Sequence, residues 1–396
     1  MSKKTVEDIQ VAGKGVLLRV DFNVPLDSDT GAISDDSRIR ASLPTIRYLV
    51  DHGAKVVICS HLGRPRGKVV EGLRMAPVAQ RLSKLIGLPV GAASDCVGPE
   101  VESEAGALSE GELLVLENLR FHAGEEANDP EFAARLARLA DVYVNDAFGT
   151  AHRAHASTAG VAGHLPAVAG LLMKKELEVM GKLLDDPERP SACLIGGAKV
   201  GDKMELLQSM LARVDALLVG GGMAATFLKA RGCGVGHSLV EDDKLDLAAR
   251  LMTRAEEGGV RFVLPVDVVV AEELKAGAST SVVPVEKIPS YCYVGDIGPE
   301  SVDLFRNELA KCRTVLWNGP LGVFEMAEFA EATRSLAVFL STLSGTTVIG
   351  GGSTAEAVHS MGLGDKMSHV STGGGASLRF LEGATLPGVS VLLDKE

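Results

Sequence analysis

The sequence lacks an excess of positive charge: its 396 residues carry 40 Lys and Arg against 52 Asp and Glu, a formal net charge of -12, and the pI is near 5.3. A general binder of nucleic acid or of a membrane surface needs a basic face, so neither partner is expected. Any anionic ligand must be met by a local cluster of cations. Long apolar runs are missing as well. No stretch has the uninterrupted apolar length that spans a bilayer, and the opening MSKKTVEDIQVAGKG has no apolar h-region. The six cysteines, Cys59, Cys96, Cys193, Cys233, Cys292 and Cys312, include no CxxC pair. That excludes a zinc ribbon or redox motif of the usual spacing and suits reduced, mostly buried thiols in a cytosolic enzyme.

Common catalytic signatures are absent too. No GxGxxG opens the chain, which counts against a nicotinamide-dependent dehydrogenase. Residues 196–201 have the first spacing of a Walker A loop, but Asp202 stands where its lysine belongs. HRA at His152 and DAFG at Asp146 resemble protein-kinase signatures only superficially, and Ser353 lies in GGSTA rather than in the GxSxG of a hydrolase elbow.

What is present fits two domains. The length exceeds what one core usually supports, so two domains of about 150 to 200 residues are expected. With 46% hydrophobic residues each half can bury its own core. Between them lies 171–189, LLMKKELEVMGKLLDDPER. Leu172, Leu177, Val179, Met180, Leu183 and Leu184 approximate one helical face, and Lys174, Lys175, Glu176, Glu178 and Lys182 a solvated one. Pro187 and Pro190 end the helix.

Before this junction, strand-like runs at 16–22, 55–60, 113–116 and 142–144 alternate with helix-like runs at 37–50, 76–86 and 131–139. Such a β-α-β rhythm implies a parallel sheet covered on both faces, with ligands bound beyond the carboxyl ends of the strands. Asp21, Asn23 and Pro25 follow the first run; His61, Gly63, Arg64 and Arg66 the second; Arg120 and His122 the third; Asn145, Asp146, His152, Arg153 and His155 the fourth. Arg38 and Arg40 open the first helix. A single loop arginine is ordinarily solvated, but successive strand ends that each deliver Arg or His would hold a small polyanion in guanidinium forks. Asp21 and Asn23 suit a hydroxyl on that ligand.

After the junction the strand-like runs lead into glycines instead: GGAKVGDK after Ile195, GGGMAATF after Val219, NGPLGVFE after Trp317, GGGSTAEAV after Ile349 and STGGGASL after Val370. Glycine lets backbone approach a ligand, and a helix starting there points unpaired N–H groups at it, so nucleotide phosphates are the expected occupants. Ser353 or Thr354 is expected to cap the helix after the third glycine, and Lys199 and Lys203, four apart, to share a face that clamps phosphate.

Read together, RVDFNVP (19–25), SHLGRP (60–65), ENLRFH (117–122), VNDAFGTAHRAHAS (144–157), GGAKVGDK (196–203), NGPLGVFE (318–325) and STGGGAS (371–377) resemble the phosphoglycerate kinase family along nearly the whole chain. The resemblance implies two doubly wound, Rossmann-like α/β domains joined by a helix and hinge: 1–170 for the triose phosphate, 171–189 as the joint, 190–380 for the nucleotide, and 381–396 packing back on the first. It implies reversible transfer of the acyl phosphate of 1,3-bisphosphoglycerate to Mg-ADP by a monomeric cytoplasmic enzyme, with magnesium arriving on the nucleotide. By similarity, Asp21, Asn23, Arg38, His61, Arg64, Arg120 and Arg153 bind the triose. Lys203, Gly221, Val294, Asn318, Glu325, Gly351, Gly352, Ser353 and Thr354 bind the nucleotide, and Arg38, Lys199, Gly352 and Gly375 serve the phosphoryl group. Two positions depart from the family pattern. Ser353 replaces the usual Asp, removing a carboxylate that helps place magnesium, and Val294 replaces a glycine beside adenine. The first leaves a non-catalytic nucleotide sensor as the alternative.

Overall fold

Strand residues such as Leu17, Leu18, Val56 and Ile58 are buried on both faces of their sheet, as the central strands of a parallel sheet must be. The computed structural model describes residues 3–27 and 29–395. It divides into two units, Met1–Glu178 with Thr385–Glu396, and Val179–Ala384.

In the first unit, β1 (Gly15–Arg19), β2 (Lys55–Cys59), β3 (Val90–Ala92), β4 (Leu113–Val115), β5 (Val142–Asn145) and β6 (Ala167–Ala169) form one sheet in the order β3-β4-β2-β1-β5-β6. All neighbours are parallel, with Val16 of β1 in register with Val56 on one side and Val142 on the other. The three-residue strands β3 and β6 were not expected, because neither is long enough to show a period. The order reverses between β1 and β5, which places the crevice for a ligand beyond Arg19 and Asn145. The C-terminal segment belongs to this unit: Asn145 Nδ2 donates to the Gly388 carbonyl (3.0 Å) and Leu393 N to the Ala167 carbonyl (2.9 Å).

The second unit contains β7 (Ser191–Ile195), β8 (Ala216–Val219), β9 (Arg261–Val263), β10 (Asp267–Ala271), β11 (Ser281–Pro284), β12 (Tyr293–Ile297), β13 (Thr314–Asn318), β14 (Thr346–Gly350) and β15 (His369–Val370). Six of them form a parallel sheet in the order β15-β14-β13-β7-β8-β9, reversing between β7 and β13. Alternate residues feed opposite cores: Cys193, Ile195, Leu217 and Val219 one, Ala192, Leu194, Leu218 and Trp317 the other. Strands β10, β11 and β12 form a separate antiparallel sheet, an addition to the expected architecture.

The helix Leu171–Asp185 begins in one unit and ends in the other. Its first N–H groups are met by Thr45 Oγ1, which accepts from Leu171 (2.9 Å), and by Asp146 Oδ1, which accepts from Leu172 (2.9 Å) and Met173 (3.2 Å). Met180 and Leu183 join the core of the second unit, and Glu176, expected on the solvated face, is buried. Among the described residues no helix is long and apolar enough to cross a membrane.

Candidate functional site

The strand ends of the first sheet converge on His61. Its protonation is disfavoured first by burial and then by Arg19, Arg120, Arg153 and Arg38, so the ring stays neutral. Arg19 Nη2 lies 3.3 Å from His61 Nδ1. A guanidinium only donates, so Nδ1 accepts and the ring proton sits on Nε2, the nitrogen free to donate to a ligand. Arg38, in the first turn of the helix Ser37–Asp51, donates from Nη1 to Asp21 Oδ2. Asn23 Oδ1 accepts from Gly63 N (2.8 Å), and Arg120 Nη1 donates to the Gly63 carbonyl (2.8 Å), so two of the expected ligand groups also hold the loop that carries exposed Arg64. Arg153 is partly exposed and donates from Nε to His152 Nε2 at 3.2 Å.

Beneath this cluster runs a buried chain that the sequence reading did not single out. Arg19, 1% exposed, donates from Nε to Ser157 Oγ (2.8 Å), and that hydroxyl donates to Glu125 Oε1 (2.6 Å). The carboxylate of wholly buried Glu125 also accepts from Ser157 N at 2.9 Å. Burial pushes the Glu125 pKa up while Arg19 and Ser157 pull it down. The available signal was an arginine inside the apolar run VLLRVDF, where an unpaired charge is not tolerated. Three other residues of the expected group turn away from the cluster: Arg40 of the first helix pairs with Asp36 (2.7 Å), His122 with Asp95 (2.6 Å), and Asp146 with the N–H groups of Leu172 and Met173. Burial raises the Asp146 pKa to about 7.

At the reversal point of the second sheet, the turns after β7 and β13 lie backbone against backbone. Gly196 N donates to the Asn318 carbonyl (3.0 Å) and Gly197 N to the Pro320 carbonyl (2.9 Å). A Cβ on Gly196 would collide with the Pro320 and Gly319 carbonyls. Lys203 follows in the turn Gly201–Lys203 and donates to Asn318 Oδ1. Burial lowers its pKa. Beside these turns opens a mainly apolar cavity of about 480 Å³, walled by Gly197, Ala198, Gly222, Leu239, Tyr293, Val294, Gly322 and Glu325 among others. Val294 is thus on the wall, its N–H bonded to Ser238 Oγ at 2.9 Å. Gly221 lies below, its positive φ fitting it against Gly197 and Pro320.

Two local expectations change. Lys199 and Lys203 share no helical face: 197–200 is an irregular bend, Lys199 is exposed, and Lys203 points inward. The helix Gly352–Ser360 is capped by Gly351 at φ 87°, without a side-chain cap. Thr354 is wholly buried and its hydroxyl accepts from Gly319 N at 2.7 Å, which ties the glycine helix start to the β13 turn. Ser353 and Gly352 are exposed at the helix start, and Gly375 is exposed at the start of Gly375–Leu381.

Cations gathered at the reversal point of one α/β unit, and a glycine-walled cavity beside the turn that carries a half-buried lysine in the other, are the equipment of a two-unit kinase for a small anionic metabolite. Residues 6–384 match the family model described as phosphoglycerate kinase, and the chain belongs to that family. It is 55% identical over 399 residues to the phosphoglycerate kinase of Dictyoglomus turgidum and 56% identical over 395 residues to that of Moorella thermoacetica, with 100% of each chain covered. The solved phosphoglycerate kinase of Coxiella burnetii shares its fold with a TM-score of 0.90 at 41% identity, and that of Pyrococcus horikoshii with 0.82 at 32%, each covering 98% of both chains. The activity is that of a kinase, the ATP-generating glycolytic transfer of phosphoryl between 1,3-bisphosphoglycerate and ADP.

Proposed function

We propose that the transfer is direct and in line, with the first unit holding the triose and the second the nucleotide. The observation that carries this reading is the gathering of Arg38, Arg120 and Arg153 around the buried, neutral His61, with Arg19 buried beneath them. Such a set neutralises a phosphate and a carboxylate on one small molecule. Asp21, Asn23, Arg38, His61, Arg64, Arg120 and Arg153 bind the triose; Asp21 orients Arg38, and His61 donates from Nε2. Glu325 takes the ribose hydroxyls on the cavity wall, while Lys203 and the N–H groups at 351–354 face the phosphates, with Asn318, Thr354 and Gly221 shaping the turns that carry them. Arg38, Lys199, Gly352 and Gly375 stabilise charge on the phosphoryl group in flight.

The chemistry explains why no nucleophile and base are paired. The leaving carboxylate needs no protonation and the attacking oxygen of ADP is already ionised, so alignment and charge neutralisation carry the catalysis. Magnesium enters as part of the nucleotide substrate. The exposed Ser353 hydroxyl suits an ion that keeps its waters and leans on phosphate oxygens. The chain passes between units twice, inside the helix Leu171–Asp185 and again at 384/385, and closure about that joint brings the ligands together and excludes water. The enzyme is a cytoplasmic monomer.

The test is to mix protein with ATP, magnesium and 3-phosphoglycerate in hydroxylamine, which traps an acyl phosphate as hydroxamate. Hydroxamate that requires all three components is expected. Nucleotide binding without hydroxamate would leave the chain a sensor.

A further inference from the structure

Asp95, Cys96 and His122 come together at the outer end of the first sheet, apart from the arginine cluster. Asp95 and Cys96 lie in the loop after the edge strand β3, and His122 follows the turn Leu119–Phe121 beyond its neighbour β4. One carboxylate oxygen, the thiol sulfur and one ring nitrogen lie within 4.8 Å of one another, and among the described residues no other group of three or more such donors does so. Asp95 Oδ1 contacts His122 Nε2 and the backbone N–H of Cys96, both at 2.6 Å.

The surroundings hold these groups in place. Ala93 N donates to the Val115 carbonyl (2.9 Å) and Glu117 N to the Asp95 carbonyl (3.3 Å), tying the loop to the β4 end. The His122 ring stacks on Phe132 with centroids 5.2 Å apart. Cys96 is buried, whereas Asp95 and His122 are partly exposed, so the cluster has a closed side and an open one.

We propose that this cluster is a binding site for a divalent transition cation of the zinc class, with the Cys96 thiolate, a His122 ring nitrogen and the Asp95 carboxylate as protein ligands and water as the fourth. Thiolate, imidazole and carboxylate together suit Zn2+ or Co2+ and not Mg2+, so the cation carried by the nucleotide does not compete. Bonds of about 2.0 to 2.3 Å put tetrahedral ligand atoms roughly 3.3 to 3.8 Å apart. Side-chain rotation then draws the sulfur in and opens the Asp95–His122 contact. The neutral thiol gives up one proton, and the Nε2 proton moves to Nδ1, so one proton leaves for each cation bound.

The test uses the full chain without a tag, in excess magnesium. Co2+ is expected to give one equivalent of thiolate-to-cobalt charge-transfer absorption with release of about one proton, and Zn2+ to remove the band with no further proton release. Cys96→Ser should abolish the band and weaken Zn2+ binding by about 100-fold or more, and His122→Asn should weaken it by about 10 to 100-fold. Cys233→Ser, which removes the one cysteine that is not buried, should change neither. No band in the parent chain, or a band that survives Cys96→Ser, would overturn the proposal. If Cys96→Ser unfolds, His122→Asn and Asp95→Asn give the same reading, and unchanged Zn2+ affinity in both would overturn it.

Discussion

The ammonium of Lys203 donates to the side-chain oxygen of Asn318 across the point where the strand order of the second sheet reverses. Asn318 is wholly buried and neutral, so it fixes the position of the lysine without cancelling its charge. A charge-assisted hydrogen bond contributes about 1.5 to 3 kcal/mol. Lys203→Ala is therefore expected to weaken Mg-ATP binding by about 10 to 100-fold, read by calorimetric titration. An unchanged affinity would remove Lys203 from the phosphate site.

Arg38 is held by Asp21 and remains partly exposed. The role in charge neutralisation proposed for it predicts that Arg38→Ala lowers kcat by about 10² to 10³-fold, the range for losing a group that acts in the transition state. A change confined to KM would make Arg38 a binding group only.

Asp146 supplies a pH signature. Burial raises its pKa from 3.8 to about 7, so the folded state holds a proton that the unfolded state releases. The associated stability is present below about pH 4 and is lost as the pH rises to about 7, with an upper size of order 4 kcal/mol at 1.36 kcal/mol per pKa unit. Asp146→Asn keeps an acceptor for Leu172 and Met173 without the titration. Its stability relative to the parent should climb between pH 4 and 7 and level off above, in urea unfolding. A difference independent of pH would show that the carboxyl does not titrate there.

Gly196 carries no side chain because the Gly319 and Pro320 carbonyls occupy that space. Gly196→Ala must part the two turns, and a loss of about 2 to 4 kcal/mol is expected, with nucleotide affinity falling alongside. Parent-like thermal unfolding would mean that the turns are not packed as described.

Ser353 is exposed in the first turn of the helix Gly352–Ser360. With the nucleotide placed as proposed, Ser353→Asp adds a carboxylate beside the magnesium carried on the phosphates, and half-maximal activity should need less magnesium. An unchanged titration would separate Ser353 from the metal.

Much of this molecule was legible because buried parallel strands are apolar over their length. Runs such as Lys55–Cys59, Leu113–Val115 and Ala216–Val219 announce themselves, and the charged or glycine residues just after them mark where ligands belong. The edge strands Val90–Ala92 and Ser281–Pro284 are short and largely exposed, so burial imprinted no pattern on them. Inside the site, residue type was readable and direction was not. Asp146 and His122 follow strands as Asn23 and Arg120 do, yet one meets a helix start and the other Asp95.

The sequence by itself determined the strand and helix runs, the segregation of arginine loops from glycine loops, and through its motifs the family. Those properties follow from local spacing and from which residues can be buried. Only the tertiary structure decided that Arg19 and Glu125 lie beneath the arginine cluster, that Thr354 braces a turn instead of capping a helix, and that Asp95 and Cys96 meet His122. Each of these contacts joins separate segments of the chain that end or follow different strands, and the distance between them is fixed by sheet order and packing, which no local pattern encodes.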